Sequence, residues 1–257
     1  MRKSMPRVPK AVDMALNDTR VKTRRGWRKL NQDERTALLQ MMAIKLQDEP
    51  FDILRLAPKG SFLARVLRHF EDTDISYSMP LMATIMLAAS WLTQHGACLD
   101  VPGVGKILPT LWNIGLAESG SSKTLASEEI MSIFAEGDQP PVSLLPPPQS
   151  APQWIIDLSE DNGAYWFQDE VGKLFQAIFT QSNMVQLKPW ILNAYSHQPI
   201  ANRLKSEKVK LRIERPAFTF HGLTVLETWS SEIDASSMLD GFCQRMNYYI
   251  AEPRSDT

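Results

Sequence analysis

The chain has little cysteine, no long apolar run and almost no net charge, and each shortage removes a class of explanation. Two cysteines in 257 residues, Cys98 and Cys243, lie far apart and form no metal-ligand spacing. A disulfide framework and a cysteine metal site are therefore excluded, and a reducing, cytoplasmic setting is expected. The longest apolar run, Met79 to Leu92, is interrupted by Pro80, Thr84 and Ser90. It falls short of the ~20 residues that span a bilayer, so it reads as a buried helix and no membrane partner is expected. The basic amino terminus lacks a following apolar stretch, so no targeting segment is expected either. A net charge of −1 says nothing about partners until its distribution is examined. With 44% hydrophobic and 22% charged residues, the composition is that of a globular protein able to bury a sizeable core.

What is present is unevenly placed. Residues 1–30 carry ten lysines and arginines against Asp13 and Asp18, and Pro6 and Pro9 discourage regular structure early in this basic arm. Such an arm suits nucleic acid phosphates or simply solvent. Asn31 and Glu34 have capping-box spacing and predict a helix to about Gln47, burying Leu38, Met41, Met42 and Leu46. Leu63, Val66, Leu67 and Phe70 share one helical face. A third helix, Met79 to about Gln94, is apolar on most sides, and Gly96 closes it. Residues 31–100 thus read as a small helical module.

The segment Ala117-Glu118-Ser119-Gly120-Ser121-Ser122-Lys123-Thr124 lies between an apolar run, Leu111 to Leu116, and a helical run, Leu125 to Ala135. Strand, short polar loop and helix opened by Lys-Thr is the arrangement that cradles a phosphate chain. Small residues let successive amides of Glu118 to Thr124 turn inward, the helix terminus adds positive charge, and Lys123 reaches the outer phosphates. Thr124 would place its hydroxyl on Mg²⁺. Against the pattern G-x-x-x-x-G-K-[ST], Ala117 and Ser122 stand where glycine is usual. Gly115 and Gly120 have the right mutual spacing in another frame, but that frame puts the lysine two residues too late.

Beyond Gly137 a proline-rich passage, 140–152, interrupts any helix, and Val142 to Leu145 and Trp154 to Leu158 read as short strands. Ala164 to Glu170 is an aromatic strand running into Asp169 and Glu170. In that order after Lys123-Thr124, Asp169 suits the metal and Glu170 suits polarising the attacking water. A helix is predicted over Gly172 to Phe179, and His197 reads as a satisfied loop histidine. Arg203, Lys205, Lys208, Lys210, Arg212 and Arg215 flank an alternation, Val209, Leu211 and Ile213, that reads as a strand or hairpin with one charged face. That face suits solvent or a nucleic acid backbone. Pro216 to Phe220 reads as a strand delivering Thr219, His221 and Thr224 to the ligand crevice. Arg245, late in the chain, suits a phosphate-directed arginine of its own site or a neighbouring subunit's.

With these elements together the chain resembles the P-loop ATPases, in particular the helicase-like proteins of phages, plasmids and integrated elements that often accompany primases. Leu111 to Thr124, Tyr165 to Gly172, Pro216 to Thr224 and Gly241 to Pro253 carry the resemblance, the last through Gly-Phe-Cys-Gln-Arg-Met-Asn. It implies a RecA-like α/β core over residues 101–257, a mostly parallel sheet flanked by helices, binding ATP and Mg²⁺. It further implies DNA as track, a hexameric homo-oligomer and a primase partner. Two other readings remain open at this point: a nucleotide-binding module that does not hydrolyse, and a nucleic-acid-binding protein whose loop only looks like a phosphate site.

Overall fold

The structure is a computed structural model and describes residues 20–23, 26–29, 31, 52–103, 105–202, 211–233, 237, 240–252 and 254. The helix expected from Asn31 to Gln47 lies outside the described residues. Within the basic arm, strands β1 (Arg20–Thr23) and β2 (Gly26–Lys29) pair as an antiparallel hairpin that the sequence reading did not anticipate.

Two helices follow as expected. α1 (Phe62–His69) starts at Ser61, whose hydroxyl accepts from the Ala64 amide, and buries Val66 and Leu67. α2 (Ser78–Gln94) is buried on most sides, and Gly96 follows it with φ +74°. Its apolar face does not form a core of its own. Met79, Ala83, Met86 and Leu87 pack in one cluster with Ala117, Tyr165 and Ala251 of the sheet. A short antiparallel hairpin, β3 (Leu99–Val101) and β4 (Gly105–Ile107), then leads into β5 (Trp112–Ala117), buried along its whole length.

After β5 come α3 (Lys123–Phe134) and α4 (Ala151–Glu160). The latter corrects the strand expected over Trp154 to Leu158. Ser150 caps the Gln153 amide, and Pro152 sits in the first turn, where its missing N–H costs nothing. Trp154, Ile155 and Leu158 then share a buried face. The strand expected over Val142 to Leu145 reduces to a single bridge between Leu144 and Tyr165. β6 (Tyr165–Gln168), α5 (Val171–Thr180) and α6 (Leu187–Tyr195) follow. β7 (Ile200–Asn202) and β8 (Leu211–Ile213) form the expected hairpin, its connection lying outside the described residues. The described chain closes with β9 (Thr219–Val225), α7 (Leu226–Glu232), a 3₁₀ turn (Cys243–Arg245) and β10 (Asn247–Ala251).

Four strands form one parallel sheet in the order β10-β5-β9-β6, with helices on both faces, an α/β architecture. Side chains alternate between the faces. Trp112, Ile114, Leu116, Trp166 and Phe220 face an aromatic core shared with α4, α5 and α6. Trp154, Phe175, Phe218 and Phe242 complete it, with ring centroids about 5–6 Å apart as edge-to-face and offset pairs prefer. Ala117 and Tyr165 face α1, α2 and α3.

Two glycines decide how closely these layers approach. A Cβ on Gly222 would meet the Val171 side chain at 2.9 Å, so the bare strand lets α5 start close against the sheet. A Cβ on Gly115 would meet the Tyr249 hydroxyl at 2.5 Å. Tyr249 therefore crosses over β5 to reach His221 on β9. Among the described residues, no helix is long and apolar enough to cross a membrane.

Candidate functional site

β5, β9 and β10 end at one level and β6 ends three residues earlier in register, and the crevice beyond the carboxyl ends is where open α/β sheets take ligands. β5 ends there in the loop Glu118 to Ser122, which turns through Gly120 at φ +80° and Ser122 at φ +55°. Glu118, Ser119 and Gly120 are exposed, and Ser121 keeps a buried hydroxyl with no hydrogen-bond partner. Ser122 is the N-cap of α3 and, being left-handed, provides no side-chain cap. The amides of the first turn of α3 therefore face the loop with no intrahelical acceptor, at the positive end of the helix dipole. At position 122, where glycine was missing from the motif, the backbone takes the conformation glycine favours. Serine holds it at a cost on the order of 1 kcal/mol.

α5 begins the same way. Its N-cap, Glu170, has φ +53° and makes no side-chain cap. This contrasts with α1 and α4, whose serine caps have extended backbones and bonded hydroxyls. Three non-glycine residues have positive φ among those described, and two of them, Ser122 and Glu170, open the two helices at this crevice. Such strain persists where surrounding structure imposes it and clusters at ligand sites.

The side chains expected to act together do meet. Thr124 donates its hydroxyl to Asp169 Oδ2 at 2.7 Å across 45 residues of sequence. The other oxygen, Asp169 Oδ1, accepts from the Glu170 amide at 2.9 Å. Lys123 Nζ lies 3.7 Å from Glu170 Oε1 with 12% of its side chain exposed, and Lys173 Nζ lies 3.5 Å from Glu170 Oε2. Gln168 donates to the Asp169 carbonyl at 2.7 Å and keeps a buried, unpartnered Oε1. Thr124 and Asp169 supply hard oxygens of the kind Mg²⁺ takes, alongside phosphate oxygens and water. No group of three or more histidine, cysteine, aspartate or glutamate residues among those described can hold a metal unaided.

Glu232, Gly172 and Lys173 at this crevice were not singled out from sequence. Glu232 Oε2 accepts from the Thr224 hydroxyl at 3.3 Å, and Thr224 stands beside Leu116 at the end of the sheet. The same carboxylate lies against Gly172 in the first turn of α5, where a Cβ would overlap it. Glycine in a helix costs about 1 kcal/mol relative to alanine, and that cost was the available sequence signal. Here it makes room for a carboxylate at a helix amino terminus.

Other expectations are corrected. β9 runs to Val225, so Thr219 and His221 lie in its first half, paired with Tyr165 and Phe167 of β6, and Thr224 lies nearest its carboxyl end. His221 is buried between the Tyr165 hydroxyl, 2.7 Å from Nδ1, and the Tyr249 hydroxyl, 3.0 Å from Nε2. Burial lowers its pKa to about 4, so it is neutral and donates to one tyrosine while accepting from the other. The same burial raises both tyrosines above the usual phenol range. Arg245 precedes β10, which runs parallel to β5, and so lies at the amino-terminal end of the sheet. The length of β5, about 17 Å, separates it from the loop, which rules it out as a phosphate-directed arginine of its own site. His197 is the expected loop histidine, its Nδ1 donating to the Pro216 carbonyl at 3.1 Å. Arg212 is exposed and grips Glu214 through two nitrogens, at 2.6 and 3.2 Å. Arg203, Lys205, Lys208 and Lys210 lie outside the described residues.

No family model matches this chain, and a search of curated proteins finds no match.

Proposed function

We propose that the chain is a Mg²⁺-dependent P-loop ATPase with a RecA-like core, coupled to DNA in the manner of the helicase-like proteins it resembles. The observation that carries this reading is the meeting of Lys123-Thr124 with Asp169-Glu170 beyond the carboxyl ends of β5 and β6. The amides of Gly120 to Thr124 would hold the phosphate chain, and Lys123 would neutralise its outer charge. Thr124 and Asp169 would share Mg²⁺, which supplies charge neutralisation at the phosphates when bound. Glu170 would orient water, once the ligand draws Lys123 away from its carboxylate. A hexameric assembly and a primase partner rest on the resemblance alone.

The test is calorimetric titration of a non-hydrolysable ATP analogue with and without Mg²⁺, paired with ATP turnover in the presence of single-stranded DNA. Mg²⁺-dependent binding lost in Lys123→Ala, with turnover lost in Glu170→Gln, supports the reading. No binding in either condition ends it. A second reading, a nucleotide-binding module that does not hydrolyse, is favoured by one observation: Glu170 is held between Lys123 and Lys173 rather than free toward a water. Binding without turnover, unchanged by Glu170→Gln, selects this second reading.

A further inference from the structure

At the opposite end of the sheet from the loop is a cavity of about 370 Å³, walled by β4, the start of β5, the end of α6 and the turn before β10. Ligand pockets run from ~300 Å³ upward, so it has room for one small organic unit. None of its lining residues is acidic, and Arg245 is its cation.

Arg245 is held by neutral groups. Its Nη1 donates to the Gly241 carbonyl at 2.6 Å, and its guanidinium lies over the Tyr195 ring, 5.4 Å from the centroid. Its Nε is buried with no hydrogen-bond partner, and among the described residues no carboxylate forms an ion pair with it. Gly241 has φ +89°, and a Cβ there would meet Nη1 at 2.6 Å, so the turn is shaped around the guanidinium. A charge fixed in place, partly desolvated and left without a counter-ion is unfavourable unless an anion completes it.

The other walls suit a planar ring. Tyr195 is 46% exposed, and Trp112 packs its ring edge-on at 5.1 Å. His197, also in the wall, is the third non-glycine residue with positive φ, at +50°, beside the two at the phosphate loop. With Nδ1 donating to Pro216, its Nε2 is left as an acceptor. Outside the cavity, the Lys106 carbonyl accepts from Arg215 Nη2 at 3.3 Å, which places a second guanidinium near the rim.

We propose that this cavity binds one nucleotide unit of a single-stranded nucleic acid, its phosphate on Arg245 and its base against Tyr195. A guanidinium beside an exposed aromatic ring is what strand-binding proteins use to hold an unstacked base and its phosphate. The site is separate from the phosphate loop and does not depend on ATP being bound or hydrolysed.

The experiment uses the full chain carrying Lys123→Ala, which silences the loop, and fluorescein-labelled oligo(dT) followed by anisotropy. Arg245→Gln is expected to weaken binding tenfold or more. Tyr195→Ala should weaken it several-fold, with Tyr195→Phe close to the parent. An oligonucleotide carrying 5-iodouracil should photocrosslink to Tyr195 in the otherwise unaltered chain, which needs no substitution near the cavity. Unchanged affinity in both Arg245→Gln and Tyr195→Ala, with crosslinks mapping elsewhere, overturns the assignment. So does tight binding of thymidine monophosphate that these variants weaken while oligo(dT) is unaffected, since the cavity would then serve a free nucleotide. ATP-analogue binding by Arg245→Gln in the chain that keeps Lys123 reports on the loop separately, so failure of one site is distinguishable from failure of the other.

Discussion

Halfway along the sheet, Tyr165, His221 and Tyr249 bond to one another, while at its carboxyl end Ser121 and Gln168 keep buried oxygens with no partner. The backbone follows the same division. Mid-sheet residues are ordinary strand, whereas Ser122 and Glu170 are left-handed and the two helices they open are uncapped. Both regions bury polar atoms beside apolar side chains, so burial alone does not distinguish structure from site. The difference lies in the company the polar atoms keep: a closed chain of donors and acceptors fixes one packing, while the carboxyl end combines unpartnered oxygens with strained backbone.

The largest expected effect tests the closed chain. His221 titrates near 6.5 when unfolded and near 4 when folded, so the unfolded chain holds the extra proton between those values. Its contribution is therefore complete above about pH 6.5 and is lost as pH falls toward 4, amounting to about 3 kcal/mol at most. Urea unfolding at neutral and mildly acidic pH should show the wild type losing more stability than His221→Gln. An equal loss in both would remove His221 as the cause. Next, at the open end, Lys123→Ala should lower ATP-analogue affinity about 100-fold while leaving the urea midpoint nearly unchanged. A large fall in stability instead would mean that Lys123 is structural.

Gly115→Ala should cost about 1–3 kcal/mol, because the new methyl meets the Tyr249 hydroxyl and the Leu223 side chain. A neutral result in urea unfolding would show that Tyr249 need not lie across β5. The smallest effects compare two serines at helix starts. Ser122→Gly should stabilise by about 1 kcal/mol by relieving a left-handed serine. Ser150→Ala should destabilise by about the same amount through loss of its cap. Opposite signs in thermal unfolding would sharpen the contrast, and equal signs would break it.

Much of the open end was legible because its chemistry is written in residue types and order. Lys123-Thr124 after an apolar run and Asp169-Glu170 after an aromatic one mark the elements whose ends bring these side chains together. The left-handed turn at Ser122 was not legible, since serine does not announce positive φ and the surrounding fold imposes it. Gly115 was read within the apolar run that forms β5, but its neighbour across space, Tyr249, is far away in sequence, so its packing role was not legible. His221 looked like a crevice residue because polar side chains in an apolar run suggest a strand end. The strand continues past it because two tyrosines satisfy the imidazole. Trp154 to Leu158 looked like a strand from its apolar run, and Ser150 with Pro152 was the overlooked helix signal. The docking of α2 on the sheet follows from three-dimensional packing that its all-round apolarity left undirected.

The pairing order of the sheet carries a consequence for how the chain assembles. β5 is bonded on one side to β9 and on the other to β10, through contacts such as Trp112 to Phe218 and Asn247 to Trp112, 106 and 135 residues apart. Closing such separations is slow and comes late in folding. Until both later strands dock, the strand that leads into the loop Glu118 to Ser122 lacks at least one neighbour. Loosening of β10 would therefore strip β5 of one of its two neighbours, and the geometry of the loop that follows β5 becomes a reporter of whether the whole sheet has formed.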